Sequence, residues 1–148
     1  MYKRILLTLD GSEMSEQALS VAVELAKRFQ SELFLLRVIY PLAKSYRSGL
    51  ASVSAIQKAE EQLRILAYDY LEKFTDELKK EGINTTIDSV IGVPYKEIIL
   101  YTERQAIDLI VMCTRGESGI SRWLLGSTTD HVIRGSRIPL IVIPAKEN

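Results

Sequence analysis

Residues 2–9 form a short, mostly apolar run that stops at Asp10-Gly11-Ser12. Four similar runs follow at Leu33–Ile39, Thr85–Ile91, Ile107–Met112 and Pro139–Ile143. Runs of this length, bounded by turn residues, predict buried strands. Between them the period changes. Ser12 is placed to cap a helix, with Glu13 in the first turn where the dipole favours an acid. Met14, Ala18, Ala22, Leu25 and Phe29 then share one helical face. Ser54-Ala-Ile-Gln57 reads as a capping box before a long helix carrying Leu63, Leu66, Ala67, Tyr70, Leu71, Phe74 and Leu78 on one face. That helix ends on Lys79, Lys80 and Gly82, which suit the negative end of the dipole and a left-handed cap. Pro94 opens a further helix running to about Gln105, and a last one is predicted from about Ser127 to Arg134.

The order is therefore β-α-β-α-β-α-β-α-β. Alternation of this kind predicts a parallel sheet with helices on both faces. Ligands of such sheets bind beyond the carboxyl ends of the strands, where the strand order reverses. This directs attention to Asp10, to Val38 and the loop after it, and to Cys113–Ser127. The loop, Pro41–Ser54, has no clear period, contains Lys44, Tyr46, Arg47 and Gly49, and is long enough to be a lid.

The totals narrow the classes. The 148 residues suit one domain, spanning 1–148. The formal net charge is zero, which gives no push toward nucleic acid or an anionic membrane. One cysteine excludes an internal disulfide framework and a multi-cysteine metal site, and the single His131 argues against a histidine-based one. The first apolar run is too short for a signal peptide, and no run approaches the ~20 residues of a membrane span. The expectation is a cytoplasmic protein with neither nucleic acid nor membrane as partner.

Candidate chemistry concentrates between Cys113 and Ser127. Glycines, hydroxyls, Arg115 and Arg122 lie between a strand and a helix, a composition that suits an anion at a helix N-terminus. Gly116, nine further residues and Gly126-Ser127 would form a phosphate cradle with the amides of Ser127 and Thr128. Ser127-Thr-Thr-Asp130 also fits a plain capping box, and both readings stand. Asp10 would hold a ribose hydroxyl or a phosphate-bridging metal, or would serve only as the turn residue before Gly11. Cys113, where the fourth strand meets the loop, reads as a packed thiol, Trp123 as a packing residue, and His131 as a surface or packing residue. There is no Walker lysine motif, no Gly-x-Gly-x-x-Gly after the first strand, and no acid–base pair of convincing geometry.

Three segments together resemble the universal stress protein family along nearly the whole chain. They are Lys3-Arg-Ile-Leu-Leu-Thr-Leu-Asp10-Gly-Ser-Glu13, Leu33-Phe-Leu-Leu-Arg-Val38, and Cys113-x-x-Gly116-x9-Gly126-Ser127 followed by Pro139-Leu-Ile-Val-Ile143. The nucleotide-binding branch of that family carries Gly-x-x-Gly-x9-Gly-(Ser/Thr), so Cys113 stands in place of its first glycine. The resemblance implies an adenine-nucleotide alpha-hydrolase-like α/β fold with strand order 3-2-1-4-5. It implies ATP, or AMP or ADP, with Mg2+ accompanying the nucleotide. Thr8, Leu9 and Asp10 would line the site, with Asp10 near the ribose or metal and Val38 meeting adenine through its backbone. Met112, Cys113, Thr114, Arg115 and Gly116 would wrap ribose and phosphate, and Gly126, Ser127 and Thr128 would close on the phosphates. It also implies a homodimer through Pro139–Ile143, an apolar edge that gains from pairing.

The function so implied is a stress-response switch that binds an adenine nucleotide, with slow hydrolysis at most and no assigned catalytic residue. One alternative is a family member that dimerises and binds partners without nucleotide, motivated by Cys113. Another is a phosphotransferase or ATP pyrophosphatase on the same fold. A phospho-receiver with Asp10 as acceptor is a further one, and its strand order would be 2-1-3-4-5.

Overall fold

The five apolar runs become strands β1 (Arg4–Thr8), β2 (Glu32–Ile39), β3 (Thr85–Ile91), β4 (Leu109–Cys113) and β5 (Leu140–Ile143). They form one parallel sheet in the order β3-β2-β1-β4-β5, as the family resemblance implies and not as a receiver would arrange them. The computed structural model describes residues 1–42, 49, 52–114 and 125–146. Its helices among these are α1 (Glu13–Glu16), α2 (Leu19–Phe29), α3 (Val53–Lys80), α4 (Pro94–Arg104) and α5 (Ser127–Gly135).

Alternation along the strands divides the core in two. Ile5, Leu7, Leu33, Leu35, Leu109 and Val111 pack with Ala22 and Ala26 of α2 and Leu71 and Leu78 of α3. The intervening residues, Leu6, Phe34, Leu36, Ile110 and Met112, pack with Ile98 and Tyr101 of α4 and Val132 of α5. Both faces of the sheet are thus covered, which is why the strands read as continuous apolar runs.

Several predicted boundaries move. The helix expected from Ser12 is divided at Gln17 and Ala18, whose N–H groups donate to Met14 and Ser15 three residues back instead of four. The long helix starts earlier than the predicted capping box. Ser52, not Ser54, is its N-cap, and its hydroxyl accepts from the Ala55 N–H at 3.1 Å. Leu66, expected on the buried face, is 60% exposed, and Leu63 is exposed as well. The 28 residues of α3 reach roughly 42 Å, against roughly 23 Å for the seven of β3, so its first half overhangs the strand ends. Its far end is as predicted. Gly82 has φ +76, its N–H donates to Lys79, and the Ile83 N–H donates to Leu78, which makes a full Schellman cap.

Candidate functional site

The chain runs from β1 outward through β2 to β3, then returns to place β4 on the other side of β1. Strand order reverses at the β1–β4 boundary. A cavity of about 500 Å³ opens there, at the carboxyl ends of β1, β2 and β4. Of the residues implicated by the sequence, Thr8, Leu9, Asp10, Val38, Met112, Cys113, Gly126, Ser127 and Thr128 line it. Thr114 does not. Its N–H donates to the Ile143 carbonyl, its carbonyl accepts from Gly126, and its hydroxyl accepts from the Ala145 N–H, so it ties β4 to β5 and to the start of α5. Arg115, Gly116, Arg122 and Trp123 lie outside the described residues, as does most of the Pro41–Ser54 loop, including Lys44, Tyr46 and Arg47.

Asp10 is held by a local network. Its Oδ1 accepts from the Ser12 N–H at 2.9 Å and from the Ser12 hydroxyl at 2.5 Å. The Asp10 N–H donates to Ser15 Oγ at 3.3 Å, while the Ser12 hydroxyl oxygen accepts from the Ser15 N–H. This is an Asx-turn locked to the helix cap. Gly11 completes it with φ +89, a conformation that favours glycine.

The N-terminus of α5 faces the same cavity, and among the described residues it has no side-chain cap. Gly126 is the N-cap, so the predicted box from Ser127 to Asp130 does not form. Asp130 instead pairs with Arg134 one turn on, at 3.1 Å. The first amides of a helix have no intrahelical partner, so those of Ser127 and Thr128 are donors presented to the cavity. Thr129 fixes the turn in place, its hydroxyl donating to the Cys113 carbonyl at 3.0 Å.

Cys113 is the last residue of β4, buried, and paired with Ile143 of β5. The described non-glycine residues with positive φ are Gln30 and Ala106, so the backbone at Cys113 makes no demand for glycine. His131 is exposed. Its ring stacks on Tyr95 with centroids 4.5 Å apart, and Nδ1–H donates to the Ser127 carbonyl.

Leu42, from the loop after β2 that the sequence pointed to, also lines the cavity, while other walls were missed by the sequence reading. Leu36, Ile98 and Pro94 add apolar surface beside Val38 and Met112. Ser15 and Thr129 add buried hydroxyls, and Arg37 adds a cation. Arg37 had a signal of its own, as the one charge interrupting the apolar run of β2. A second depression, of about 490 Å³, lies at the amino ends of β1, β2 and β3 and includes the Lys27–Glu81 ion pair. It stands away from the carboxyl-end switch point, and its polar lining offers no wall for a base.

Comparison with known proteins agrees with this geometry. The chain matches the universal stress protein family over residues 1–144. It is 33% identical to universal stress protein MJ0531 of Methanocaldococcus jannaschii, over 99% of this chain and 86% of that protein. The structure of MJ0577, from the same organism, superposes with a TM-score of 0.81 at 28% identity, covering 100% of this chain and 99% of that one. A universal stress protein in complex with cAMP shares the fold with a TM-score of 0.69 at 21% identity, over 98% of each chain. From strand order, switch-point cavity and sequence together, the chain belongs to the universal stress protein family.

Proposed function

We propose that this protein binds an adenine nucleotide in the β1–β4 cavity and acts as a nucleotide-responsive switch in a stress response. The observation that carries the reading is the uncapped N-terminus of α5, which opens on the same cavity as Asp10. Unpaired amides with a partial positive charge favour a phosphate. Leu36, Val38, Ile98 and Met112 offer apolar surface to a purine, and Asp10 offers a carboxylate to ribose hydroxyls. The cAMP held by a protein of this family is consistent with that ligand class.

The ligand in this reading is ATP, or AMP or ADP, with Mg2+ accompanying the nucleotide. The metal would arrive with the nucleotide, because the described residues hold no group of three or more His, Cys, Asp or Glu suited to a resident ion. Asp10 is the one described acid lining the cavity, and no described histidine joins it there. A site of this kind supports slow hydrolysis at most. The working form in this reading is a cytoplasmic homodimer joined through β5, which stands at the edge of the sheet with half-buried apolar residues.

A second reading, dimerisation without nucleotide, is motivated by Cys113 alone. The ordinary backbone of Cys113 favours the first. The test is to denature the purified protein and identify released small molecules by mass. An adenine nucleotide in about molar ratio supports the proposal. Empty protein that also fails to bind added nucleotide sinks it.

A further inference from the structure

Arg37 is the next residue after Leu35 on the α2–α3 side of β2, and it is among the residues that line the cavity. Its guanidinium carbon stands 5.0 Å over the centre of the Tyr70 ring. The Tyr70 hydroxyl in turn donates to Glu16 at 2.7 Å, which holds the ring in position. On Gly11 an added Cβ would lie 2.8 Å from Cζ, 2.8 Å from one terminal nitrogen and 3.0 Å from the other. Near-equal distances to three atoms place Gly11 against the flat of the guanidinium, not its edge. The N–H groups lie in that plane, so neither contact consumes them. Among the described residues Arg37 donates no hydrogen bond and forms no ion pair. A clamped planar cation with idle donors at a cavity wall is a receptor for an oxyanion.

The α5 N-terminus already supplies one anion point to this cavity. Arg37 lies on β2 and α5 follows β4, with β1 between them. The two backbones are two strand spacings apart, roughly 10 Å, and the Arg37 side chain turns to the α2–α3 side of the sheet, over Tyr70, while α5 packs on the other side. We infer that Arg37 is a second anion-binding point, so that the cavity selects ligands carrying two separated anionic groups. This rests on the nucleotide reading above and sharpens it. The two groups sit either along a polyphosphate chain or on two positions of one ribose.

The experiment measures Kd by calorimetry on the whole chain for AMP, Mg-ATP and adenosine 3′,5′-bisphosphate, in wild type, Arg37→Met and Arg37→Lys. The Met variant removes the donors, and the Lys variant keeps the charge but loses the planar fork, which covers the case in which Met disturbs the fold. AMP affinity should change less than about twofold. Affinity for ATP or the bisphosphate should fall about tenfold or more in Arg37→Met and by a smaller factor in Arg37→Lys. The ligand that shows the loss identifies how the two charges are carried. Unchanged affinities, or an equal loss for AMP, overturn the inference while leaving nucleotide binding intact. Failure of the wild type to bind any of the three overturns the nucleotide reading and this inference with it.

Discussion

The buried Thr129 hydroxyl donates to the Cys113 carbonyl across 3.0 Å, joining the first turn of α5 to the last residue of β4. That bond orients the helix end that faces the cavity. Thr129→Val keeps the shape and removes the donor. Loss of a buried hydrogen bond to a backbone carbonyl costs about 1–3 kcal/mol. Denaturant unfolding should show a loss of that size, and nucleotide affinity measured on the still-folded variant should fall as well. Unchanged affinity would show that the bond does not position the site.

Gly11 combines φ +89 with the Arg37 guanidinium packed at its Cα. Gly11→Ala meets both obstacles, a strained backbone and a crowded Cβ. A non-glycine residue held in such a region costs on the order of 1–3 kcal/mol. The midpoint of chemical unfolding should drop accordingly. Gly49, with φ +68 and open space around it, should lose less on the same substitution.

Tyr101 is almost wholly buried, and its hydroxyl has no hydrogen-bond partner among the described residues. Tyr101→Phe removes that unsatisfied group and should leave stability unchanged or raise it by about 1 kcal/mol. Burial, followed by the nearby Asp88 carboxylate, pushes the Tyr101 phenol well above its ordinary value near 10. The native state therefore keeps a proton that the unfolded chain has released. Stability is full below about pH 10 and falls as pH rises above it. Unfolding curves between pH 9 and 11 should show a shallower fall for Tyr101→Phe than for the wild type.

Cys113→Gly separates the two functional readings. If Cys113 were the reason for lost binding, glycine would restore it. With its strand conformation and negative φ, Cys113 needs no such relief. The expected result is nucleotide affinity within about threefold of wild type and a stability loss of roughly 0.5–1 kcal/mol for glycine in a strand. A large gain in affinity would favour the reading without nucleotide for the natural chain.

The fold was legible because the central strands β1, β2 and β4 carry buried apolar runs and the strands are closed by turn residues. Asp10-Gly11-Ser12 ends β1 and Gly82 ends α3 as read, because turn and cap chemistry is local. The errors have a common source in tertiary geometry. Leu63 and Leu66 carry the helical period, but the sheet stops short of them. Ser127 to Asp130 has the letters of a capping box, yet Gly126 takes the cap position and Asp130 turns to Arg134. Strand-end marking in the sequence pointed to Asp10, Val38 and the Cys113–Ser127 stretch, and the family resemblance added Thr8, Leu9 and Met112, which line the same cavity. Arg37 and Thr129 were missed, since their roles depend on partners far along the chain, Tyr70 and Cys113.

In the proposed site, phosphate binds the N-terminus of α5, which has no side-chain cap among the described residues. Gly126→Asp tests it by placing a capping carboxylate on those amides. Replacing glycine by aspartate at an N-cap changes helix stability by only a few tenths of a kcal/mol, in the favourable direction. The measurement is the shift in melting temperature on adding Mg-ATP, wild type beside Gly126→Asp. At one hundred times Kd the ligand adds about 2.7 kcal/mol, roughly 5–10 °C for a chain of this size. The wild type should show that rise and Gly126→Asp none, while the ligand-free melting temperature of the variant stays level or climbs. Equal shifts in both proteins, or no shift in the wild type at millimolar ATP, would contradict phosphate binding at that helix end.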